Sequence, residues 1–308
     1  MQKKSILFFR NFVQHSGGHQ KVFDYFCHLH ASEGYAPHIS FSDSSLQDKA
    51  NPWFPDHAGV DFDPTAYDYL FLAGMDWKML AKDNVNPDQP VINLIQHVRH
   101  GLPSEDVYPF LAHRAIRICV SSEVQMAIED KSNGPVFTIA NGIHIPVTIT
   151  KKSEDVFIAG YKNQALARDL ANELGISAQI DQLPREEFLE KLAAARIAVL
   201  LPHQTEGFFL PALEAMQLSD IVVVPDCVGN RSFCTDHLQA HGNCLMPRYD
   251  RGGILDSIAR AKAILADQEH SRRIKMAATK TVNQHSLNRE RAEFLNLMSR
   301  IDDLWHDK

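Results

Sequence analysis

The 308-residue sequence contains no apolar run of about 18 residues, so it predicts no transmembrane helix. It also has no surplus of positive charge. Its 31 Lys and Arg stand against 38 Asp and Glu, and the net charge of −7 gives no electrostatic reason to bind nucleic acid. Near the N-terminus, Arg10 interrupts the first apolar run before it reaches the length of a signal-peptide core. We therefore expect a cytoplasmic globular protein in which this first run is a buried strand.

Cysteine is scarce and odd in number, with five residues, which favours reduced thiols in a cytoplasmic setting. Cys227, Cys234 and Cys244 lie close together in the sequence, with two histidines among them, so a zinc site is an alternative. No pair of these cysteines has the C-x2–4-C spacing that usually builds such a site. We expect buried or loop thiols and no metal. The sequence also lacks the G-x-G-x-x-G turn of a nicotinamide-dependent Rossmann enzyme, which ranks that hypothesis far lower.

The length allows two domains of about 150 residues, and the composition, 44% hydrophobic and 22% charged, is typical of globular proteins. Short apolar runs alternate with segments of helical periodicity, which indicates an α/β fold with parallel sheets. The predicted strands cover residues 6–9, 37–41, 69–73, 91–95, 117–120, 136–139, 156–160, 197–201 and 221–224, with further short strands at Ile180 and over residues 243–247. A last amphipathic helix is predicted over residues 286–305.

One stretch, residues 205–224, concentrates the chemistry and reads TEGFFLPALEAMQLSDIVVV. It follows one strand-like run and ends in another, so it predicts strand, loop, helix and strand. Pro211 fits the first turn of the helix, where its missing N–H costs nothing. Glu206 then lies in the loop at the carboxyl end of a strand, and Glu214 lies in the helix, where carboxylates can accept hydrogen bonds from sugar hydroxyls. The alternative is that both are solvated partners of the helix dipole.

The string EGFFLPALEAM resembles the signature of retaining GT-B glycosyltransferases of the glycogen-synthase-like group, family 4. The resemblance implies a GT-B fold: α/β, with two Rossmann-like domains facing each other across a cleft. The implied domains are an N-terminal acceptor-side domain (1–150), a C-terminal nucleotide-sugar domain (151–285) and a C-terminal helix (286–308) that packs back on the first domain. For that helix, a cap on its own domain or a homodimer contact are the alternatives.

The same resemblance assigns roles within the signature. It implies that Glu206 is catalytic and faces the donor sugar or the side of its anomeric centre. It implies that Glu214 holds the ribose hydroxyls of the donor. Gly207 and Phe208 are expected to bind the donor beside them.

In the first half, Gly17 and Gly18 form a strand-to-helix turn that resembles the family's glycine loop against the donor diphosphate. Such a turn alone is only weak evidence. His97 follows the strand at 91–95 and best matches the family's histidine near the donor sugar, so we expect it to be catalytic. Arg99 and His100 come next and are weaker candidates for acceptor or phosphate contacts.

The second half departs from the family pattern. Relatives carry Gly-Arg after the first strand and a lysine further on, which together hold the diphosphate. This chain instead has Gly160, Tyr161 and Lys162, so Lys162 is the cation of that loop. The usual second strand-helix unit is also missing here. The helix that begins after Pro184 matches a family element and is expected to be chiefly structural.

After the signature, relatives have a Gly-Gly loop whose amides face the diphosphate. Gly229 and Asn230 occupy this place, and Arg231 could supply the missing phosphate charge, because guanidinium binds phosphate bidentately. On that hypothesis, Arg231→Ala would severely weaken donor binding. The choice between Lys162 and Arg231 stays open at this point.

The implied reaction transfers a sugar with retention from a UDP- or GDP-linked donor to a glycan, a lipid-linked acceptor or another hydroxyl acceptor, in bacterial surface polysaccharide or glycoconjugate synthesis. No cofactor and no metal are expected. Residues 1–150 hold 11 Lys and Arg against 16 Asp and Glu, so attraction to anionic lipid is weak and any contact with the inner membrane face is transient. The alternative function is a non-catalytic sugar-nucleotide or glycan-binding module.

Overall fold

The computed structural model describes residues 3–80, 86–146 and 151–306. Within it the chain forms two compact units. Unit 1 combines Met1–Asn141 with Leu287–Lys308, and unit 2 is Gly142–Ser286. The sequence-based boundaries, after residues 150 and 285, therefore differ from these by nine residues and by one residue.

The strands of both units are parallel, and most are short runs of buried apolar residues. In chain order they are β1 (Lys4–Arg10), β2 (Tyr35–Phe41), β3 (Tyr69–Ala73), β4 (Val91–Ile95), β5 (Ile116–Cys119), β6 (Val136–Thr138), β7 (Glu154–Ala159), β8 (Ala195–Leu200) and β9 (Ile221–Val223). Unit 1 holds a six-stranded sheet in the order β2-β1-β3-β4-β5-β6, and unit 2 a three-stranded sheet in the order β7-β8-β9. Parallel strands covered on both faces are expected to be continuously apolar, as β3 and β9 are.

The α-helices connect these strands and cover the sheets. In chain order they are α1 (Gly17–His30), α2 (Ser122–Ile128), α3 (Gln164–Leu174), α4 (Arg185–Ala194), α5 (Leu210–Leu218), α6 (Arg251–Ala266), α7 (Gln268–Gln284), α8 (Leu287–Met298) and α9 (Ile301–His306). Ser16 caps α1 by accepting a hydrogen bond from the His19 amide, and Ser121 caps α2 in the same way.

The core of unit 1 is aromatic and includes the C-terminal helix α8. Phe8 of β1 stacks on Phe71 of β3 with ring centroids 4.4 Å apart, and Phe294 of α8 meets Tyr25 of α1 edge to face at 4.7 Å. A buried ion pair joins the same two helices, with Lys21 Nζ 2.6 Å from Glu290 Oε2. Helix α8 therefore packs on α1 within unit 1.

The C-terminal segment differs from the single helix predicted over residues 286–305. The structure has two helices, α8 and α9, separated at Ser299 and Arg300. The Ser299 hydroxyl donates to the carbonyl of Asn296 at 2.8 Å. Serine side chains that bond to nearby backbone compete with regular helix, which accounts for the interruption.

The sheet of unit 2 is small, with three strands against six in unit 1. Helix α3 begins after Asn163, whose side chain caps it, and ends at Gly175, which adopts the left-handed conformation (φ 63°) that favours glycine. Gly160 closes the turn between β7 and α3. A Cβ there would lie 2.1 Å from Ala167 Cβ, so only glycine lets the strand end and the helix approach this closely.

Candidate functional site in unit 2

The two signature glutamates lie on one strand-loop-helix element of unit 2. Strand β8 ends at Leu200, the loop carries Glu206, and α5 begins at Leu210 with Pro211 in its first turn. Glu214 follows one turn into the helix. The sequence predicts this local order, because an apolar strand run, a proline-opened helix and a second strand run follow one another.

Glu206 forms an ion pair with Lys162, which lies in the turn after β7. Both side chains are mostly shielded from water, with 12% of the glutamate and 23% of the lysine exposed. The Lys162 ammonium also lies 5.2 Å from the Phe209 ring centroid and 5.5 Å from that of Tyr161. Burial works against the charged ammonium, but Glu206 and Tyr161 outweigh it and raise the pKa of Lys162. The lysine therefore stays protonated at neutral pH.

Glu214 is 2% exposed and lies beside Arg185, the first residue of α4. Arg185 Nη1 is 2.6 Å from Glu214 Oε1. No described residue donates a hydrogen bond to that oxygen, so the contact is an ion pair without hydrogen-bond alignment. A carboxylate this deeply buried needs such a cation, and its Oε1 remains able to accept a hydrogen bond.

Arg185 is not among the residues predicted from the sequence, because α4 is expected to be chiefly structural. One signal was present. A cation at the first helical position opposes the helix dipole, whereas the acidic residues Glu186 and Glu187 that follow it suit that dipole. An unfavourably placed arginine at the start of a helix beside the carboxyl edge of the sheet points to a partner from another element.

The loop after β9 packs directly on the Glu206 loop. The Gly229 carbonyl accepts a hydrogen bond from the Phe209 amide at 2.8 Å. A Cβ on Gly229 would lie 2.8 Å from Glu206 Cβ and 2.9 Å from the Glu206 carbonyl oxygen. Gly229 is thus the residue that allows the two loops to touch.

Two neighbours of Gly229 are engaged differently from what the sequence predicts. Asn230 is fully buried and holds its own loop, since its Nδ2 donates to the Pro225 carbonyl at 2.9 Å and its Oδ1 accepts from the Cys227 amide at 3.2 Å. The Asn230 side chain therefore has a structural role, and donor binding through the backbone of this loop stays a prediction. Arg231 is bound through Nε and Nη2 to the carboxylate of Asp226, with about half of both side chains exposed. The cation beside Glu206 is Lys162.

The remaining signature residues lie at the base of the same loop. Gly207 is buried directly after Glu206. Phe208, predicted to bind the donor, is 7% exposed and packs on the rings of Phe233 and His285 at 4.9 and 5.5 Å. Its side chain thus supports the loop from the core.

The predicted residues of unit 1 lie at the carboxyl ends of its strands and the start of α1. Gly17 and Gly18 open α1, and the Gly18 carbonyl accepts from Gln96 Nε2 at 3.2 Å. His97, directly after β4, is half-buried. The two weaker acceptor candidates differ in exposure, because Arg99 is exposed whereas His100 is buried.

His100 is 4% exposed, with its Nδ1 3.0 Å from the His97 carbonyl. Burial lowers the pKa of His100 to about 4, so the ring is neutral at physiological pH. The predicted acceptor contact of His100 is therefore corrected. It is a core histidine, since the short helical turn that carries it packs on α2.

Three other polar side chains of unit 1 form a cluster that the sequence analysis did not single out. Arg10, at the end of β1, donates from Nη2 to His19 Nδ1 at 2.9 Å and from Nη1 to Asp76 at 2.9 Å. Because arginine has only donors, His19 Nδ1 is the acceptor and its proton resides on Nε2. Burial, helped by Arg10, lowers the pKa of His19 to about 3, and burial raises the pKa of Asp76 to about 6 despite Arg10.

The cysteines of the second half are free thiols. Cys227, Cys234 and Cys244 are all buried. Across residues 3–80, 86–146 and 151–306, no three His, Cys, Asp or Glu side chains are grouped so that they could hold a metal ion. Within the same described residues, none of the helices combines the length and apolar character needed to cross a bilayer.

Part of the chain matches a known protein family by sequence, and nearly all of it aligns with solved structures. Residues 149–281 match the family model described as glycosyl transferases group 1. No curated protein matches the chain by sequence. Among solved structures, sucrose-phosphate synthase from Thermosynechococcus elongatus aligns with a TM-score of 0.69 at 13% identity, covering 97% of this chain and 99% of that one.

Two further structures align over nearly their whole length. A glycosyltransferase from Rickettsia africae has a TM-score of 0.69 at 12% identity and full coverage of both chains. HepE from Anabaena, in complex with UDP-glucose, has a TM-score of 0.67 at 12% identity, covering 96% of this chain and 99% of that one. Such low identities show the fold, which is GT-B. The chain thus has the GT-B fold, and its residues 149–281, with Glu206 and Glu214 in them, match the model of the glycosyl transferases group 1 family.

Proposed function

We propose that this protein is a retaining glycosyltransferase that moves a hexosyl group from a UDP- or GDP-linked donor to a hydroxyl acceptor. The observation that carries the proposal lies within the family-matched region. There, Glu206 and Glu214 lie on one strand-loop-helix element, and each is ion-paired with a cation from a neighbouring element. Two nearly buried carboxylates on one loop and helix suit a ligand with several hydroxyls.

In this proposal Glu214 accepts hydrogen bonds from the two ribose hydroxyls of the donor. Its oxygen Oε1 lacks a hydrogen bond from any described residue, although Arg185 lies 2.6 Å away. Arg185 keeps the buried site electrically neutral while the oxygens remain available. A ribose diol would satisfy that oxygen and so recover the free energy lost by leaving it unbonded.

Glu206 faces the donor sugar, and Lys162 faces the diphosphate leaving group. Most of the charge that develops during transfer accumulates on that leaving group, so its stabilisation is the main catalytic task. The protonated Lys162 supplies one cation for it, and backbone amides of the surrounding loops can add neutral donors. The proposed reaction uses no metal and no cofactor. Retention places the acceptor hydroxyl on the face from which the diphosphate leaves, and His97 is the proposed catalytic residue of unit 1.

The acceptor is proposed to be a glycan or lipid-linked intermediate of bacterial surface polysaccharide or glycoconjugate synthesis. Unit 1 would supply the acceptor contacts, with Arg99 the exposed candidate. We place the protein in the cytoplasm, with brief encounters at the inner membrane face when the acceptor is lipid-linked. Within residues 1–150, acidic residues outnumber basic ones, which supports brief rather than stable contact with anionic lipid. Self-association as a homodimer belongs to the same proposal.

A second candidate is a non-catalytic sugar-nucleotide or glycan-binding module. Two observations favour it: the loop after β7 lacks the family's second phosphate cation, and both signature carboxylates are already neutralised within the protein. A binding module would hold the nucleotide sugar without cleaving it.

Nucleotide release separates the two candidates. Purified protein is screened by thermal shift against UDP, GDP and their hexoses, and a ligand at one hundred times its Kd adds about 2.7 kcal/mol of apparent stability. Donors that bind are then tested for release of nucleoside diphosphate with and without acceptor. A glycosyltransferase releases it and forms a product with retained configuration, whereas a binding module shifts the melting temperature and releases none.

A matched variant ties the result to the proposed site. Glu214→Gln should weaken binding of the preferred nucleotide by about 10- to 100-fold, because hydrogen bonds to a charged acceptor contribute about 1.5–3 kcal/mol. The same variant should bind the 2′,3′-dideoxy nucleotide as the wild type does. Equal loss for both nucleotides would contradict the ribose role of Glu214.

A further inference from the structure

The surroundings of Lys162 are unusual for a cation that serves a phosphate. In the ligand-free protein its ammonium is already ion-paired with Glu206, which is predicted to serve the sugar. The rings of Tyr161 and Phe209 lie 5.5 and 5.2 Å from the ammonium. The carboxylate and the two rings all lie beside the ammonium, and all three belong to unit 2.

The carboxylate and the aromatic rings interact with the lysine in different ways. The carboxylate neutralises the ammonium and competes with any other anion for it. The aromatic rings attract the ammonium through their negative faces but leave its net charge intact. A lysine held by rings thus remains available to an anion, whereas a lysine held by a carboxylate is available only after exchange.

We propose that Glu206 and the donor diphosphate compete for Lys162, and that Tyr161 and Phe209 position the ammonium so that it can pass from one to the other. This inference rests on the proposed function, since it requires a nucleoside diphosphate at this site. Donor binding then has two effects at once. The diphosphate gains its cation, and Glu206 is released to accept hydrogen bonds from the donor sugar.

The exchange also explains how one cation can serve where relatives have two. An arginine and a lysine could hold a diphosphate while a glutamate remains free. Here residues 160–163 contain one basic residue, and Arg231 is held bidentately by Asp226. A single lysine shared between Glu206 and the diphosphate couples the release of the carboxylate to the arrival of the donor.

Removal of Glu206 should raise the affinity for nucleotide, whereas removal of an ordinary contact lowers it. Glu206→Gln removes the competitor for Lys162, so UDP or GDP should bind about 5- to 150-fold more tightly, the range typical of coupled binding equilibria. Lys162→Met should weaken the same nucleotide by about 10- to 100-fold, because it removes a charge-assisted contact to phosphate. The nucleoside without phosphates should bind both variants as it binds the wild type.

The double variant distinguishes competition from simple repulsion between Glu206 and the diphosphate. If the glutamate acts through Lys162, Glu206→Gln has no effect on nucleotide affinity once Lys162 is methionine. If it acts by repelling the phosphates directly, the tightening persists in the double variant. Calorimetric titration of UDP and GDP into the four proteins gives this cycle, and Arg168→Ala, an exposed cation on α3, is the matched control expected to leave affinity unchanged.

The positioning role of the rings can be tested by comparing the affinities for nucleoside diphosphate and for nucleoside. Phe209→Leu keeps an apolar side chain but removes the ring, and it should reduce the affinity for the diphosphate without reducing that for the nucleoside. Thermal unfolding without ligand checks that each variant is folded. Unchanged or weaker nucleotide binding by Glu206→Gln, or tightening that survives in the double variant, would overturn the exchange. Failure of the wild type to bind any nucleotide would instead overturn the proposed function, and the exchange with it.

Discussion

Replacing Gly229 with alanine tests whether the loop after β9 supports Glu206. Gly229 has no left-handed backbone conformation, so alanine brings no backbone strain there, and its effect comes from contact alone. The new Cβ would lie 2.8 Å from Glu206 Cβ, where ordinary contact begins at 3.4 Å. The two loops must therefore separate by about 0.6 Å, or the packing beneath them must give way.

The expected effect follows from what the Cβ meets. It approaches the Cβ, carbonyl carbon and carbonyl oxygen of Glu206 rather than the tip of a flexible side chain. Overpacking against such a neighbour typically costs about 1–3 kcal/mol of unfolding free energy. Moving Glu206 also lengthens its ion pair with Lys162 and strains the hydrogen bond from Phe209 to the Gly229 carbonyl. We therefore expect lower stability together with at least a tenfold loss of sugar transfer.

Urea denaturation and the nucleotide-release assay measure the two effects. The matched control is Gly252→Ala in the first turn of α6, where the nearest atom to the new Cβ is Asp250 Oδ1 at an ordinary 3.6 Å. This control should unfold at the same or slightly higher urea concentration, since alanine favours helix over glycine. If Gly229→Ala matches the wild type in both assays, the loop does not press on Glu206 and the reasoning is refuted.

Three further outcomes are expected. Glu290→Gln should lower the unfolding free energy in urea by about 3 kcal/mol, because it removes the carboxylate that pairs with buried Lys21. The control is Glu293→Gln, a partly exposed residue of the same helix, which should cost under about 0.5 kcal/mol. A loss below about 1 kcal/mol for Glu290→Gln would contradict the importance of the buried pair. Burial lowers the pKa of His19 from 6.5 to about 3, so the neutral ring contributes its full stability above pH 6.5. That stability is lost as pH falls toward 3, at up to about 1.4 kcal/mol per pH unit. A His19→Gln variant whose unfolding free energy has the same acid dependence as the wild type would argue against this role of His19. Arg231→Ala should weaken nucleotide binding less than Lys162→Met does, because Asp226 already neutralises Arg231, and equal losses in calorimetry would restore the phosphate role predicted from sequence.

Much of the fold could be predicted because it depends on local patterns. The strands of unit 1 are apolar runs, and α5 begins where Pro211 indicates. The interruption between α8 and α9 could not be predicted from periodicity, because the apolar positions continue across it while the Ser299 side chain ends the first helix. Local hydrogen bonding of a single serine is invisible to a pattern of apolar residues.

The candidate site, like the fold, could be predicted only where it depends on local sequence. Motif position alone marked Glu206, Glu214 and Lys162. It could not reveal that Arg185 neutralises Glu214, because those two residues are brought together by the packing of α4 beside α5. It also suggested a polar ligand for His100, a residue that the fold buries with its Nδ1 on the His97 carbonyl.

What the sequence determined by itself is therefore the order of elements and the position of each carboxylate along the chain, since both follow from spacing of a few residues. Tertiary structure alone decided which cation each carboxylate meets. Lys162 and Glu206 are 44 residues apart, and Arg185 and Glu214 belong to different helices. Electrostatic pairing depends on distance in space and on exclusion of water, and both are properties of the packed unit rather than of any one segment.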